Sequence, residues 1–276
     1  MATATHTDKA VILARGLGTR MRKNDGDVPM DESVAKIADT GVKAMIPTLG
    51  RPFLDFVLAS LAESGYRRVC LVIGPEHEVM REYYGHTLKT ERLSIEFAVQ
   101  EKPLGTADAV RPAEAFANGD SFLMINSDNF YPREALIALR SSAAPAVAVF
   151  ERDAMLHGSN IASDRISKFS VVRFNDDGTM KQIIEKPDDA TLASMGNDVF
   201  VSMNCWLFSA RIFDACRAIK PSPRGEYEIT DAAQYCIDVL GEKMMAHKIA
   251  APVLDMSSRG DIAAVTDRLK HISVRL

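Results

Sequence analysis

The sequence predicts an α/β fold, a mostly parallel and partly mixed sheet with helices on both faces, and three observations carry that expectation. Short β-branched runs alternate with longer segments whose apolar residues recur at helical spacing, the order produced by parallel strands joined through crossover helices. The composition is ordinary globular, 47% hydrophobic and 25% charged over 276 residues, which is ample for a large core. After Phe150 the alternation gives way to hairpin-like spacing, which predicts a smaller antiparallel part.

Taken in order, Ala10–Leu13 is a wholly apolar run ending at a glycine loop and reads as a buried strand. Asp31–Thr40 reads as a short capped helix with Val34 and Ile37 on one face. Phe53–Ser64, His77–Tyr84, Ala107–Ala117 and Arg133–Arg140 carry helical periodicity, and between them Arg68–Ile73, Ile95–Val99, Phe122–Asn126 and Ala146–Phe150 are strand-like. Ile166–Phe174 and Met180–Lys186 read as strands around Asn175–Gly178, an Asn-Asp-Asp-Gly turn that predicts a hairpin. Val199–Phe208 is a further strand. Helices near Ile212–Ile219 and Glu228–Leu240, a strand at Met244–Ile249 and a helix near Ile262–His271 complete a Rossmann-like arrangement. No Pro- or Ser-rich linker and no internal repeat divides residues 1–276, which read as one domain; the hexapeptide period of a β-helix is absent.

Charge and patterning exclude several functions. Thirty-three Lys plus Arg against 37 Asp plus Glu leave a net charge of -4, which offers no overall field for nucleic acid or an anionic membrane. The longest apolar runs, Val69–Ile73 and Ala144–Phe150, are too short to span a bilayer. The opening MATATHTDK lacks the apolar region of a secretory signal, so the expected location is the cytoplasm. Cys70, Cys205, Cys216 and Cys236 form no CxxC pair and read as small buried residues in a reducing compartment. A homo-oligomer is the default expectation for such an enzyme-sized chain.

The chemistry is concentrated in loops that follow strands. Ala14-Arg15-Gly16-Leu17-Gly18-Thr19-Arg20 follows the first strand: glycines let backbone N–H groups approach a polyphosphate, and arginines supply planar cationic forks. It is neither a Walker A loop nor GxGxxG, and a plain strand-to-loop turn would also account for it. Lys43, in Val42-Lys43-Ala44-Met45-Ile46-Pro47, is a ligand or a snorkelling surface lysine. Gln100, Pro103, Gly105 and Thr106 stand at a strand-to-helix passage, where an amide and a helix start could read a base or ribose, or serve only as a helix cap. Asp128, with Asn129, lies just past the end of a buried strand, where open α/β sheets bind ligands and a carboxylate suits Mg²⁺; an Asx turn is the bland alternative. Glu185-Lys186-Pro187, Arg224-Gly225-Glu226-Tyr227-Glu228-Ile229-Thr230-Asp231 and Leu254-Asp255-Met256-Ser257 follow.

Each motif alone is weak, but in this order, over about Ala10 to Leu269, they strongly resemble the sugar-1-phosphate nucleotidyltransferases, most closely the glucose-1-phosphate thymidylyl- and uridylyltransferases. The resemblance implies transfer of a nucleotide from a nucleoside triphosphate to a sugar 1-phosphate, with release of pyrophosphate and help from Mg²⁺. It implies a nucleotide-binding half of about residues 1–130 and a sugar-phosphate half of about 131–276. Ala14, Arg15, Gly16, Gly18, Thr19, Gln100, Pro103, Gly105 and Thr106 would hold the nucleotide. Asn129, Glu185, Lys186, Asn204 and Glu226 would hold the acceptor. Arg20, Lys43 and Asp128 would be catalytic, and Asp128 and Asp255 would hold the metal. Arg20 would neutralise the pyrophosphate, Lys43 would bridge the α-phosphate and the sugar phosphate, and Lys186 would meet the sugar phosphate.

The chain departs from the family pattern at several points. Arg15 stands where Gly or Ala is usual, Val42 precedes the lysine in place of proline, and the segment between Arg22 and Lys43 is long. Asn204 replaces a common glycine, and Met-Ser-Ser follows Asp255. These changes bear on the base and the acceptor, which could be a modified sugar or a cyclitol phosphate. A weak lean to a pyrimidine triphosphate rests on Gln100, whose amide offers both donor and acceptor. The competing readings are a catalytically silent nucleotide-sugar sensor, which retention of Arg20, Lys43, Asp128 and Asp255 argues against, and a nicotinamide-dependent oxidoreductase, which lacks its glycine spacing.

Overall fold

Strand Lys9–Leu13 is buried along its whole length, and its side chains divide between two cores. Ala10 and Ile12 enter one hydrophobic cluster, Val11 and Leu13 the other. Strand Arg68–Ile73 divides in the same way, with Val69, Leu71 and Ile73 on one side and Cys70 and Val72 on the other. Two-residue alternation with both faces apolar is what a parallel strand covered by helices on both sides requires. Helix Phe53–Glu63 covers the first face; helical segments in 106–117, Ile212–Ala218 and Ile229–Asp238 cover the second.

The computed structural model describes residues 6–16, 18–23, 31–143, 145–196 and 198–276. Leu17 of the glycine loop, residues 24–30 of the long segment after Arg22, the first five residues, Ala144 and Asn197 lie outside the described residues. Among those described, nine strands form one mixed sheet. Lys9–Leu13 is central, parallel to Arg68–Ile73 on one side and to Phe122–Asn126 on the other, and Ser94–Val99 extends the parallel part. The direction reverses at Phe200–Phe208, which pairs antiparallel with Phe122–Asn126, with Ala146–Glu151 and, at Val201, with Val171–Phe174. The expected antiparallel part is therefore the flank of the same sheet. It ends in the hairpin Val171–Phe174/Met180–Ile184, whose turn closes with Gly178 N–H donating to Asn175 O at 3.0 Å.

Two sequence expectations are corrected. Ile166–Phe174 is not one strand: Ser163–Ile166 is a helical turn, and the strand begins at Val171. Ile166 and Phe169 are three apart, a helical spacing, and both pack on the first core. Ala107–Ala117 is not one regular helix, since Arg111–Ala113 tightens to a 3₁₀ turn around Pro112, which has no N–H to donate. Helices Arg152–Gly158 and Asp189–Ser194 were not foreseen. The inserted helix Glu32–Thr40 does form; Asp31 caps it, accepting from Ser33 N–H at 2.8 Å, and Val34 and Ile37 pack on the core. All four cysteines are free and buried. Among the described residues, no helix is long and apolar enough to cross a membrane.

Candidate active site

The loops after the carboxyl ends of the central strands converge, as open α/β sheets dictate. Gly18 begins a helical turn, Thr19–Arg22, with φ at +58°, and a Cβ there would collide with the Gly41 carbonyl. The glycine loop thus docks directly on the turn that ends helix Glu32–Thr40. Arg259 reinforces that junction: its Nε donates to Met21 O at 2.9 Å, and it pairs with Asp39. Gly105 has φ at +115° and lies against the Tyr227 backbone, where a Cβ would not fit. Tyr227 N–H donates to Leu104 O at 2.8 Å, and Ile229 N–H donates to Thr106 Oγ1 at 2.9 Å, lacing the Gln100–Thr106 loop to the Arg224–Thr230 segment.

Two cavities adjoin here. The first, about 460 Å³, is lined by Ala14, Arg15, Gly16, Gly18, Thr19, Arg20, Lys43, Gln100, Pro103, Gly105, Thr106, Asp128 and Glu226, among others. The second, about 400 Å³, is lined by Asn129, Glu185, Asn204 and Asp255 and also by Arg165, Lys168, Ser202 and Arg224. Arg20, Thr106, Asn126 and Asp128 line both and form the junction. Every residue expected on the nucleotide side lines the first cavity. Glu226, expected on the acceptor side, lines the first as well. Lys186 lines neither; it is exposed, with φ at +44°.

The junction is held by a two-residue ladder. Asn129–Phe130 pairs antiparallel with Leu254–Asp255, placing Asp255 opposite Asn129, and Met256 N–H donates to Asp128 O at 2.8 Å. Asp128 Oδ2 accepts from Lys43 Nζ at 2.7 Å. Asp255 is buried; its Oδ1 accepts from Asn129 Nδ2 at 3.0 Å and Ser257 Oγ at 2.8 Å, and its Oδ2 pairs with Arg165. Burial and the neighbouring Asp128 charge push the Asp255 carboxyl above the usual carboxylate range. In the first cavity, Gln100 Nε2 donates to Gly105 O at 3.1 Å and Asp108 Oδ2 at 2.9 Å, so its NH₂ braces its own loop. Arg15 is 8% exposed, pairs with Glu76 at 3.3 Å and donates to Glu101 O at 3.3 Å. Its Nε and Nη1 are buried without a hydrogen-bond partner among the described residues.

In the second cavity, Glu185 Oε1 accepts from Thr230 Oγ1 at 3.0 Å, and Arg224 Nη2 donates to Glu228 Oε1 at 2.6 Å. Ser202 Oγ is buried with no hydrogen-bond partner among the described residues, a free donor and acceptor in the cavity wall. Sequence reasoning assigned no site role to Arg165, Lys168, Ser202 or Arg224. Arg224 stood inside a quoted motif, so a signal existed; Arg165 and Lys168 stood in or beside a stretch read as strand, with nothing to mark them.

Fold and site together define an open-sheet α/β protein with two adjoining cavities at a pair of carboxylates, each holding a cationic side chain. A profile of the nucleotidyl transferase family matches residues 9–249, and the chain belongs to that family. Among curated relatives, it is 30% identical over 236 residues to the low-salt glycan biosynthesis nucleotidyltransferase Agl11 of Haloferax volcanii, an alignment covering 83% of this chain and 57% of Agl11. The chain thus spans little more than half the length of that relative. It is 28% identical over 266 residues to the UTP–glucose-1-phosphate uridylyltransferase AglF of the same organism, covering 95% and 97% of the two chains. A crystal structure of UDP-glucose pyrophosphorylase complexed with UDP-glucose shares the fold, with a TM-score of 0.73 at 20% identity over 95% of this chain and 98% of that one.

Proposed function

We propose that the protein is a sugar-1-phosphate nucleotidyltransferase, joining a nucleoside triphosphate to a sugar or cyclitol 1-phosphate and releasing pyrophosphate. The observation that carries this reading is the pair of adjoining cavities sharing Arg20 and Asp128, with Lys43 ion-paired to Asp128 at their junction. A two-substrate transfer needs such a junction, because the acceptor oxygen must approach the α-phosphorus in line while both anions stay bound.

In this reading residues 1–130 supply most of the nucleotide side and 131–276 most of the acceptor side. Gly16, Gly18 and Thr19 hold the triphosphate through backbone N–H groups, and Arg20 neutralises the departing pyrophosphate. Gln100 and Gly105 read the base, and the Gln100 oxygen suits the ring N–H of uracil or thymine. Lys43 moves from Asp128 onto the two phosphates that meet. Asn129, Glu185, Asn204 and the Ser202 hydroxyl face the acceptor's hydroxyl groups. Asp128 and Asp255 offer hard oxygen donors on which two cationic side chains already stand, a set that fits Mg²⁺. When bound, Mg²⁺ supplies charge screening between the two anions and polarises the α-phosphate. We place the reaction in the cytoplasm, in keeping with four free thiols, and expect a homo-oligomer.

The test is a matrix of common triphosphates against a panel of sugar and cyclitol phosphates, read as pyrophosphate release in Mg²⁺. Turnover with a pyrimidine triphosphate is the expected result. Binding without pyrophosphate in any combination would make the protein a silent nucleotide-sugar binder instead.

A further inference from the structure

Each central carboxylate holds one cationic side chain. Lys43 Nζ stands 2.7 Å from Asp128 Oδ2, and the Arg165 guanidinium stands on Asp255 Oδ2. The first pairing involves a lysine already assigned to the phosphates; the second involves a residue with no assigned role. Asp255 Oδ1 is engaged by Asn129 and Ser257, so Oδ2 has Arg165 as its one partner among the described residues.

The second partner of Arg165 does not depend on it. Asp261 Oδ2 accepts from Ser258 N–H at 2.7 Å, Ser258 Oγ at 2.8 Å and Ser257 N–H at 3.2 Å, and its Oδ1 accepts from Asn160 Nδ2 at 3.1 Å. Four donors keep that carboxylate satisfied if the guanidinium leaves. Asp255 differs: it is 5% exposed, and removing the cation from Oδ2 would leave a buried charge uncompensated. Arg165 can therefore leave an ionised Asp255 only if another cation arrives there. Two single charges on two carboxylates also equal the charge of one divalent ion.

There is a destination for the released guanidinium. Arg165 lines the acceptor-side cavity beside Lys168, and its Nε is buried with no hydrogen-bond partner among the described residues. A planar fork of N–H donors suits a phosphate monoester. Lys186, the cation the sequence suggests for that phosphate, lines neither cavity.

We propose that Arg165 is a ligand of the acceptor phosphate, stored on Asp255 and handed to the phosphate when a divalent cation replaces it on that carboxylate. The inference rests on the transferase reading, which supplies the phosphate. Cation binding and acceptor binding then become coupled, and thermodynamic linkage makes that coupling reciprocal.

The test uses the whole chain, unsubstituted and as R165Q and R165K, each checked for folding by thermal denaturation. Mn²⁺ is the probe, titrated without substrates and followed by the electron paramagnetic resonance of the free ion. With its competitor gone, Asp255 in R165Q should bind Mn²⁺ about 10-fold more tightly than in the unsubstituted protein. In turnover, with the acceptor identified by the matrix assay, R165Q should raise the acceptor KM about 10-fold or more while the triphosphate KM stays within about 2-fold. R165K keeps a charge but loses the fork, and should raise the acceptor KM less than R165Q does; if R165Q does not fold, a several-fold rise in R165K is the supporting result. An unchanged acceptor KM in the folded variants, or equal Mn²⁺ affinities in R165Q and the unsubstituted protein, would overturn the proposal. Absence of turnover by the unsubstituted protein with every acceptor would instead be the failure of the transferase reading, and the phosphate role of Arg165 would fall with it.

Discussion

Lys43 and Asp128 form an ion pair at 2.7 Å between a helical turn that follows the inserted helix and a loop that follows strand Phe122–Asn126. Both side chains are largely but not fully buried, 14% and 21% exposed, so the pair is accessible to ligand while partly shielded from water. A lysine held this way is partly desolvated and kept at the junction of the two cavities.

Asp128→Asn should therefore cut turnover by at least about 100-fold, about 2.7 kcal/mol of transition-state stabilisation, without unfolding the protein. If Lys43 meets the charge that develops during transfer, as proposed, Lys43→Gln should act mainly on kcat. Steady-state kinetics in Mg²⁺ decide both. Near-normal turnover by a well-folded Asp128→Asn protein would remove Asp128 from the mechanism.

Arg15 lies in the wall of the first cavity, with two of its guanidinium nitrogens unsatisfied among the described residues. A buried charged donor left without a partner is costly unless a ligand completes it. Arg15→Gly should raise the triphosphate KM about 10-fold while leaving the acceptor KM nearly unchanged. An unchanged or improved triphosphate KM would mean that Arg15 serves only its pairing with Glu76 and Glu101.

Gly105 combines φ at +115° with backbone packed where a Cβ would go. Gly105→Ala should cost about 1–3 kcal/mol from the strained backbone alone, and more if the Tyr227 segment must move. Because that segment is laced to the Gln100–Thr106 loop, the triphosphate KM should rise together with the loss of Tm. A variant that melts normally and binds triphosphate normally would show that the loop tolerates a shift the present packing forbids.

The central strands were legible because burial on both faces leaves unbroken apolar runs, such as Val69–Ile73, and the strand Arg68–Ile73 read around that run has the same bounds in the structure. The nucleotide side was legible for a related reason: its residues sit in short loops directly after those strands, so motif order preserves spatial order. The acceptor side was harder. Arg165 reaches Asp255 across the fold from a helical turn whose apolar neighbours mimic a strand, and local sequence carries no mark of a long-range ion pair. Lys186 shows the converse, since its place in a recognised motif does not put its side chain in either cavity.

Asp55, far along the chain from these loops, is 1% exposed in helix Phe53–Glu63 and accepts from the Tyr83 and Tyr84 hydroxyls at 3.0 Å each. Burial pushes its carboxyl above the usual range, and the two hydroxyls and Arg51 only partly oppose that. For an acid whose folded-state pKa is raised, ionisation in the folded state costs stability at neutral pH. The cost shrinks as pH falls through the folded-state pKa and is gone below the unfolded-state value. The Tm of the unsubstituted protein minus that of Asp55→Asn should thus be more positive near about pH 4.5 than at neutrality. A difference that is flat, or that grows with pH, would contradict the burial argument.

Asn204 is the sharpest test of acceptor choice, because its backbone and its side chain pull in opposite directions. Its φ of +55° is a left-handed conformation that glycine adopts freely and that costs other residues about 1 kcal/mol, Asn somewhat less. The Tyr131 hydroxyl donates to the preceding carbonyl, Met203 O, at 2.6 Å and stands 3.3 Å from Asn204 O, while the Asn204 side chain lines the second cavity and accepts weakly from Trp206 Nε1 at 3.4 Å. If the residue were only tolerated, Asn204→Gly would relieve strain and leave kinetics alone. If the amide reads an acceptor hydroxyl, its loss leaves that hydroxyl unpaired in a desolvated pocket, and discrimination collapses between the preferred acceptor and its deoxy analogue. Asn204→Gly is expected to melt at or above the temperature of the unsubstituted protein and to keep its triphosphate KM. Its kcat/KM for the preferred acceptor should fall about 10-fold while that for the matching deoxy analogue stays nearly constant. Equal losses for both acceptors, or none, would remove Asn204 from acceptor recognition and leave its left-handed backbone as a purely structural departure.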